Sequence, residues 1–150
     1  MLVQLFIAMI LIVLTVIIHA LALDFSMRHM RVFERISLRL SRRFWKAYSV
    51  TIAVLIVICA HIVQIWLWAL LFLAIGELST LEEALYFSVS AFTTLGMGDI
   101  VFSEQWRILS SIEAANGFIL FGWSTAFIFE IMSQLYRKEA DKMLRYKKKD

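Results

Sequence analysis

The fold of this 150-residue chain is decided by Thr93–Asp99, which reads TTLGMGD. Two glycines with one residue between them let the backbone alternate between conformations that side chains disfavour, so that successive carbonyl groups can point to one side. A Gly-x-Gly pair between apolar helices is most often an ordinary loop. The two threonines before this pair, the aspartate after it and the amphipathic segment 85–92 in front make a specialised backbone site the stronger hypothesis.

The composition is that of a membrane protein. Hydrophobic residues make up 61% of the chain and charged residues only 18%. The charges are gathered into two basic blocks and one acidic segment, whereas a soluble protein scatters them over its surface. The one cysteine, Cys59, lies in an apolar run, which excludes a disulfide framework and a cysteine-based metal site.

Residues 1–23 are almost unbroken apolar sequence, long enough for the roughly 20 residues that cross a bilayer core. The alternative is a secretory signal peptide, since Ala20–Ala22 has the small-x-small pattern of a cleavage site. No basic residue precedes the apolar run and strongly basic sequence follows it. We therefore predict that 1–23 is the first transmembrane helix.

Residues 24–46 carry seven basic side chains against two acidic ones, which predicts a cytoplasmic location. Apolar residues recur every three or four positions, so one helical face is apolar and the arginines occupy the other. We predict a helix that lies on the inner membrane surface against anionic lipids. A voltage sensor is the weaker alternative, because only one membrane helix precedes this segment. The recurring apolar residues are Met30, Phe33, Ile36, Leu40 and Phe44.

Residues 47–75 form the next predicted transmembrane helix, flanked by tryptophan and tyrosine residues typical of membrane interfaces. His61 and Gln64 lie inside this span, one helical turn apart. An intramembrane histidine most often forms a hydrogen bond with a neighbouring helix, and we expect this of His61. Proton sensing is the alternative.

The pattern breaks after residue 75. Ser79 or Thr80, followed by Glu82 and Glu83, predicts the start of a helix over 81–92. About a dozen residues cannot cross a bilayer, so we predict a re-entrant helix whose end points at residues 93–99. Acidic residues dominate this part of the chain, and we predict an acidic entrance on the outer side.

Residues 105–135 form the third predicted transmembrane helix, and 136–150 form a basic cytoplasmic tail. The charges place the N-terminus outside and the C-terminus in the cytoplasm. Glu113 lies inside the third span, where a carboxylate is costly unless it has a partner. We predict a hydrogen bond from Glu113 to Gln64 or Ser90, behind residues 93–99.

The segment 93–99 resembles the selectivity filter of tetrameric potassium channels, whose pattern is TTVGYGD, with two substitutions in seven positions. The resemblance covers a pore module over 47–135: outer helix 47–75, pore helix 81–92, filter 93–99 and inner helix 105–135. It implies an all-α membrane protein with three transmembrane helices, a re-entrant pore helix and filter loop, and a tetrameric potassium-channel-like pore. Residues 1–46 lie outside it.

The resemblance also implies the site residues. Potassium ions would bind the backbone carbonyls of Thr94, Leu95, Gly96 and Met97 and the Thr94 hydroxyl. Filter support would come from Thr93, Gly98, Asp99, Phe87, Ser90 and Glu113. Met97 replaces the aromatic residue that packs as a cuff around the filter in most relatives, and Phe87 would face its flexible thioether instead.

On the inner helix, the resemblance makes Gly117 a hinge candidate, and close helix packing is the alternative. A helical face beside it would line the cavity and inner gate. This face and the two glycines form the predicted gate: Gly117, Gly122, Phe118, Phe121, Thr125 and Phe129.

These patterns predict a homotetrameric potassium-selective channel without a voltage sensor in a prokaryotic inner or plasma membrane. The alternative is a weakly selective monovalent cation channel, because Met97 replaces the filter aromatic. A membrane hydrolase that uses Ser124 or Ser111 with His61, and a non-conducting scaffold, are hypotheses of other classes. We expect no enzymatic activity, no cofactor apart from K⁺ as the permeant ion, and no nucleic acid partner. The gating stimulus stays open among lipid, tension, internal pH through His29 or Glu130, and the filter itself.

Overall fold

The computed structural model of the chain describes residues 2–41 and 43–147. It contains four α-helices: α1 (Leu2–Leu40), α2 (Trp45–Ala74), α3 (Leu81–Phe92) and α4 (Arg107–Lys147). Within the described residues, three helical segments are long and apolar enough to cross a membrane: Leu2–Leu40, Trp45–Ala74 and Arg107–Arg137. An all-helical membrane protein with three candidate spans is therefore confirmed.

The predicted division at residue 23 is absent, because α1 runs without a break from Leu2 to Leu40. This stretch contains neither glycine nor proline, so nothing interrupts the backbone hydrogen bonds of the helix. Met30 and Phe33, predicted to face lipid from a separate surface helix, are instead buried against Ala53 of α2 and Ile131 of α4. Of the predicted apolar face, Ile36, Leu40 and Phe44 remain exposed.

The short helix α3 has the bounds predicted from the sequence, 81–92. Thr80 caps its N-terminus: the Thr80 hydroxyl accepts from the Glu83 amide at 3.2 Å, and the Glu83 carboxylate accepts from the Thr80 amide at 3.3 Å. This reciprocal pair satisfies backbone groups that the first helical turn leaves unbonded. The cap therefore fixes where α3 begins.

Helix α4 continues beyond the predicted inner end at 135 and includes the predicted tail as far as Lys147. The predicted basic residues Arg42, Lys148 and Lys149 lie outside the described residues, as do the side chains of Lys138, Lys142, Arg145 and Lys147.

Along their length the helices pack through two apolar clusters, with a layer of buried polar side chains between them that we call the polar layer. Helix α1 contacts α2 and α4, and α3 lies against α2 and α4. One apolar cluster joins Ala8 of α1 to Phe72 of α2 and Phe92 of α3, and a second joins Met30 and Ile131. Between these clusters the same helices present buried polar side chains: Thr15, His19, His61, Gln64, Asn116 and Ser124.

Candidate functional site

The loop after α3 has an unusual backbone. Thr94, Gly96 and Gly98 have positive φ angles of 60°, 58° and 79°, and the residues between them do not. The alternation expected from the glycine spacing is therefore present, and it begins one residue earlier, at a threonine. A left-handed conformation costs a residue with a side chain roughly 1–2 kcal/mol, and more if that residue is β-branched, so surrounding contacts must hold Thr94 in place.

Those contacts come from Ser90 in the last turn of α3. Its carbonyl oxygen accepts from the amides of Leu95 and Gly96 at 2.9 and 3.2 Å. Its hydroxyl accepts from the Met97 amide at 3.1 Å. Three successive amide groups of the loop thus point back at one residue, which gives the predicted support residue Ser90 a definite structural role.

The direction of these amides determines the direction of the carbonyl groups. The described peptide bonds are all trans, so the carbonyl group of each planar unit points opposite to its N–H. The carbonyls of Thr94, Leu95 and Gly96 therefore point away from α3, on one side of the loop. Thr93, the C-terminal cap of α3, bonds back to that helix, and its hydroxyl donates to the Val89 carbonyl at 2.7 Å.

The far end of the loop is tied to α3 by a second contact. The Tyr86 hydroxyl donates to the Asp99 carboxylate at 2.9 Å. This hydrogen bond, with the negative charge of Asp99, raises the pKa of the Tyr86 phenol. Asp99 was among the predicted support residues, whereas Tyr86 was not. The signal for it was a phenol one turn before Ser90, the residue that holds the middle of the loop.

Phe87, the aromatic residue among the predicted support residues, packs against two other phenylalanines. It stacks on Phe102 at a centroid distance of 4.2 Å and meets Phe72 edge to face at 5.4 Å. Its ring also lines a cavity of about 330 Å³ together with Met97, the residue it was expected to face. The Met97 side chain is 59% exposed. Ser110, Ser111 and Ala114 of α4 form another wall of this cavity.

Glu113 is fully buried and bonds to α3. Its Oε1 lies 2.5 Å from the Ser88 hydroxyl, which is also 2.9 Å from the Ile65 carbonyl of α2. The predicted partners are wrong, because Gln64 bonds within the polar layer and Ser90 bonds the loop. Ser88 lies two residues before Ser90 on α3 and bonds the carbonyl of Ile65, which follows Gln64 on α2, a difference that helix spacing alone does not resolve.

A pair of hydrogen bonds outside the loop was also not predicted from the sequence. The Glu77 carboxylate accepts from the backbone amide of Ser103 at 2.9 Å and from its hydroxyl at 2.6 Å. It joins the chain before α3 to the chain after the loop. Glu77 therefore has a structural role, because it links these two segments of the chain.

Gly117 lies where α4 crosses the end of α3. A Cβ at Gly117 would be 2.0 Å from the Phe92 carbonyl oxygen, so only glycine permits this approach. Gly117 therefore permits close packing of α4 against α3, which was the alternative to a hinge. The helix continues without interruption through Gly117 and Gly122, and a hinge at Gly117 stays a prediction.

The predicted gate residues separate into two groups. Phe118, Thr125 and Phe129 are exposed and, with Gly122, follow one face of α4 at helical spacing. Phe121 does not belong to that face. It is half-buried against Phe92 at 5.6 Å and His61 at 4.6 Å, measured between ring centroids.

His61 and Ser124, the pair named in the hydrolase hypothesis, do meet: His61 Nε2 is 3.0 Å from the Ser124 Oγ. Both are buried between the helices, and the partner on the other imidazole nitrogen is the Gln64 amide, not a carboxylate. Ser111 is elsewhere, in the wall of the cavity beside Met97. The expected bond of His61 to a neighbouring helix is confirmed.

Three candidate membrane helices and a short capped helix that holds an alternating Gly-x-Gly loop define a membrane protein of the channel class. A family model described as an ion channel matches residues 53–134, more than half of the chain. The chain therefore belongs to this ion channel family and is not an enzyme. It matches none of the curated proteins and none of the solved structures with which it was compared. The matched residues begin in α2, so α1 lies outside them.

Proposed function

We propose that four copies of this chain form a potassium-selective channel that conducts passively and has no voltage sensor. The ion path runs along the carbonyls of residues 94–97, with the Thr94 hydroxyl at its inner end. The observation that carries this proposal is the orientation of three successive loop amides towards Ser90, which turns the carbonyls of Thr94, Leu95 and Gly96 to the opposite side. Carbonyl oxygens on one side can replace the water shell of a dehydrated cation.

The exposure of the loop supports an oligomer. Leu95 is 64% exposed and Met97 59% exposed in a single copy. Non-helical backbone at membrane depth needs protein or a water-filled cavity around it. Further copies around a central axis supply both, and four copies are what the resemblance to tetrameric potassium channels implies. In this arrangement α3 is a re-entrant pore helix.

The charges support the orientation of the chain. Arg28, Arg31, Arg35 and Arg39 occupy the C-terminal part of α1, at one end of the molecule. The acidic residues around α3 lie at the other end and form the outer mouth, which concentrates cations and repels anions. The positive-inside rule then places the C-terminus in the cytoplasm and the N-terminus outside. Anionic lipids of a prokaryotic inner or plasma membrane are the partners we propose for the basic ends.

One observation favours a weakly selective cation channel as the second candidate. The Met97 side chain is exposed beside the cavity, and Phe87 is stacked on Phe102. No aromatic ring at position 97 holds the loop at a fixed width. Selectivity therefore depends on the contacts of Ser90 and Tyr86.

The test uses the full chain in liposomes loaded with potassium and diluted into sodium, with a protonophore and a pH-sensitive dye. Potassium efflux makes the lumen negative, draws protons in and quenches the dye. We expect quenching with wild type and none when the lumen contains sodium and the outside an impermeant cation. Gly96→Ala should abolish the flux, because Gly96 has a left-handed backbone.

The control variant is Cys59→Ala, on an exposed face of α2 away from the loop. It should conduct like wild type. Equal flux of sodium and potassium would replace the first proposal with the second. Absence of flux in wild type, at any pH and with either cation, would overturn both.

A further inference from the structure

Four buried side chains close a ring of hydrogen bonds in the polar layer. Gln64 Nε2 is 3.3 Å from His19 Nδ1, and His19 Nε2 is 3.2 Å from the Ser124 Oγ. The Ser124 Oγ is 3.0 Å from His61 Nε2, and His61 Nδ1 is 3.0 Å from Gln64 Oε1. We call His19, Gln64, His61 and Ser124 the polar ring; it joins α1, α2 and α4.

One neighbour fixes the orientation of the Gln64 amide in the polar ring. Gln64 Nε2 also donates to the Thr15 carbonyl at 3.2 Å, and since a carbonyl only accepts, the amide cannot be reversed without losing this bond. The amide nitrogen therefore donates to His19 Nδ1, and the amide oxygen accepts from His61 Nδ1.

Two different imidazole tautomers follow. His19 accepts at Nδ1, so its proton is on Nε2 and is donated to Ser124. His61 donates from Nδ1, so its neutral Nε2 can only accept from the Ser124 hydroxyl, whose other acceptor is the Leu120 carbonyl at 2.8 Å. All four bonds run in one sense around the polar ring, and both imidazoles are neutral.

A proton added to either imidazole changes this pattern of hydrogen bonds. On His19 it would occupy Nδ1 and face the amide hydrogens of Gln64 at 3.3 Å, two donors with no acceptor between them. On His61 it would occupy Nε2 and force the Ser124 hydroxyl to turn to the Leu120 carbonyl, which lies 2.8 Å away. The new N–H of His61 can then donate to the Ser124 Oγ, so protonation of His19 is the change that removes a bond between helices.

The surroundings offer no compensating charge among the described residues. The imidazoles face one another at a centroid distance of 5.1 Å, so each is the other's titratable neighbour. The carboxyls before and after Ser124 on α4 bond elsewhere: Glu113 bonds Ser88, and Glu130 accepts from Gln134. The remaining groups around the polar ring are neutral: Thr15 on α1, Phe92 on α3, and Asn116, Phe121 and Trp123 on α4. A buried cation without a counterion is costly.

The polar ring also touches the base of the loop. The His61 imidazole contacts Phe92 edge to face at 5.8 Å and Phe121 at 4.6 Å. Phe92 is the last residue of α3 and directly precedes Thr93. Since α1 lies outside the residues matched by the ion channel family, the polar ring belongs to the links between α1 and the matched helices, together with the bonds to Thr15 from Gln64 and Asn116 and the bond between Ser49 and Ser37.

We propose that the polar ring is a proton-sensitive latch that fastens α1 to α2 and α4, and that acidification opens it and lowers ion flux. The effect on flux rests on the proposed channel function; the opening of the latch does not. Histidine is suited to this role because one added proton converts a neutral imidazole, which can accept a hydrogen bond, into a cation that can only donate.

The latch is tested on the full-length protein in lipid nanodiscs with ¹⁵N-labelled histidine. The chain has three histidines, and His29→Gln leaves only the two of the polar ring. At neutral pH we expect one Nε2–H and one Nδ1–H tautomer, which ¹⁵N shifts distinguish. On acidification both signals should change together. Two identical tautomers at neutral pH, or two independent titrations, would overturn the latch.

Flux through the same protein in liposomes tests the consequence. Wild type and His29→Gln should lose flux about fivefold or more on acidification, within the usual range of coupling between sites. Ser124→Ala, which removes the group between the imidazoles, should respond much less. A full acid response in Ser124→Ala, or none in wild type that conducts at neutral pH, would overturn the proposal. If wild type does not conduct at all, the channel proposal fails and the tautomers alone decide the latch.

Discussion

Thr94 and Ser90 show how single residues set the geometry of the loop. Thr94 has a left-handed backbone with φ of 60°, which a β-branched residue adopts only under constraint. Ser90 provides that constraint, since its carbonyl oxygen and hydroxyl accept from the next three loop amides after Thr94. Strain at one residue is thus offset by hydrogen bonds from another.

Ser90→Ala removes the acceptor for the Met97 amide and leaves the Ser90 carbonyl bonds in place. We expect a loss of about 1 kcal/mol for this bond and a lower preference for potassium over sodium, because Met97 becomes free to move. The reversal potential in mixed potassium and sodium measures the change. Thr51→Ala is the control, because the Thr51 hydroxyl bonds only the Ala47 carbonyl of its own helix. An unchanged reversal potential would show that Ser90 does not shape the ion path.

Glu113→Ala removes a buried carboxyl that joins α4 to α3. We expect destabilisation by about 2 kcal/mol or more, because a cavity forms and the link to Ser88 is lost. Glu113→Gln keeps the shape and a group that can bond Ser88, so it should lose less. Thermal unfolding in detergent compares them, with Glu104→Ala as the exposed control. Equal losses in the Ala and Gln variants would contradict the role of shape and bonding.

At the scale of helices, the crossing of α3 and α4 depends on Gly117. Gly117→Ala places a methyl group 2.0 Å from the Phe92 carbonyl oxygen, so α4 must shift. Overpacking of this kind costs typically about 1–3 kcal/mol. Gly122→Ala is the matched control, because a Cβ there meets nothing within 4 Å. Thermal unfolding should separate the two variants; an equal melting temperature would mean that α4 adjusts freely and that the close contact is incidental.

The helices show what a sequence can and cannot reveal. The bounds of α3 were predictable because Thr80 and Glu83 form a local cap and residue 93 begins a different pattern. The continuity of α1 was not predicted, because the charged residues from Asp24 onwards suggested a boundary. No glycine or proline interrupts the helix there. The partner of Glu113 and the polar ring depend on how far one helix is rotated against another, which helical periodicity within one segment does not specify.

For the whole molecule, the assembly is the main prediction. The exposed loop and the exposed stripe of Phe118, Thr125 and Phe129 need to be covered or hydrated in a membrane. We expect native mass spectrometry from mild detergent to give four copies of the chain. The control is Phe25→Ala, an exposed residue on α1, which should leave the assembly unchanged. A stable monomer or dimer would contradict the proposed pore.

The central claim is that backbone carbonyls of residues 94–97 select potassium. The most direct test is the reversal potential of the purified channel in a planar bilayer, with potassium on one side and sodium on the other. We expect a reversal potential close to that of a membrane permeable to potassium alone, and the same potential for the Met97→Tyr variant. A reversal potential near zero would contradict selectivity by this loop, because both cations would then pass equally.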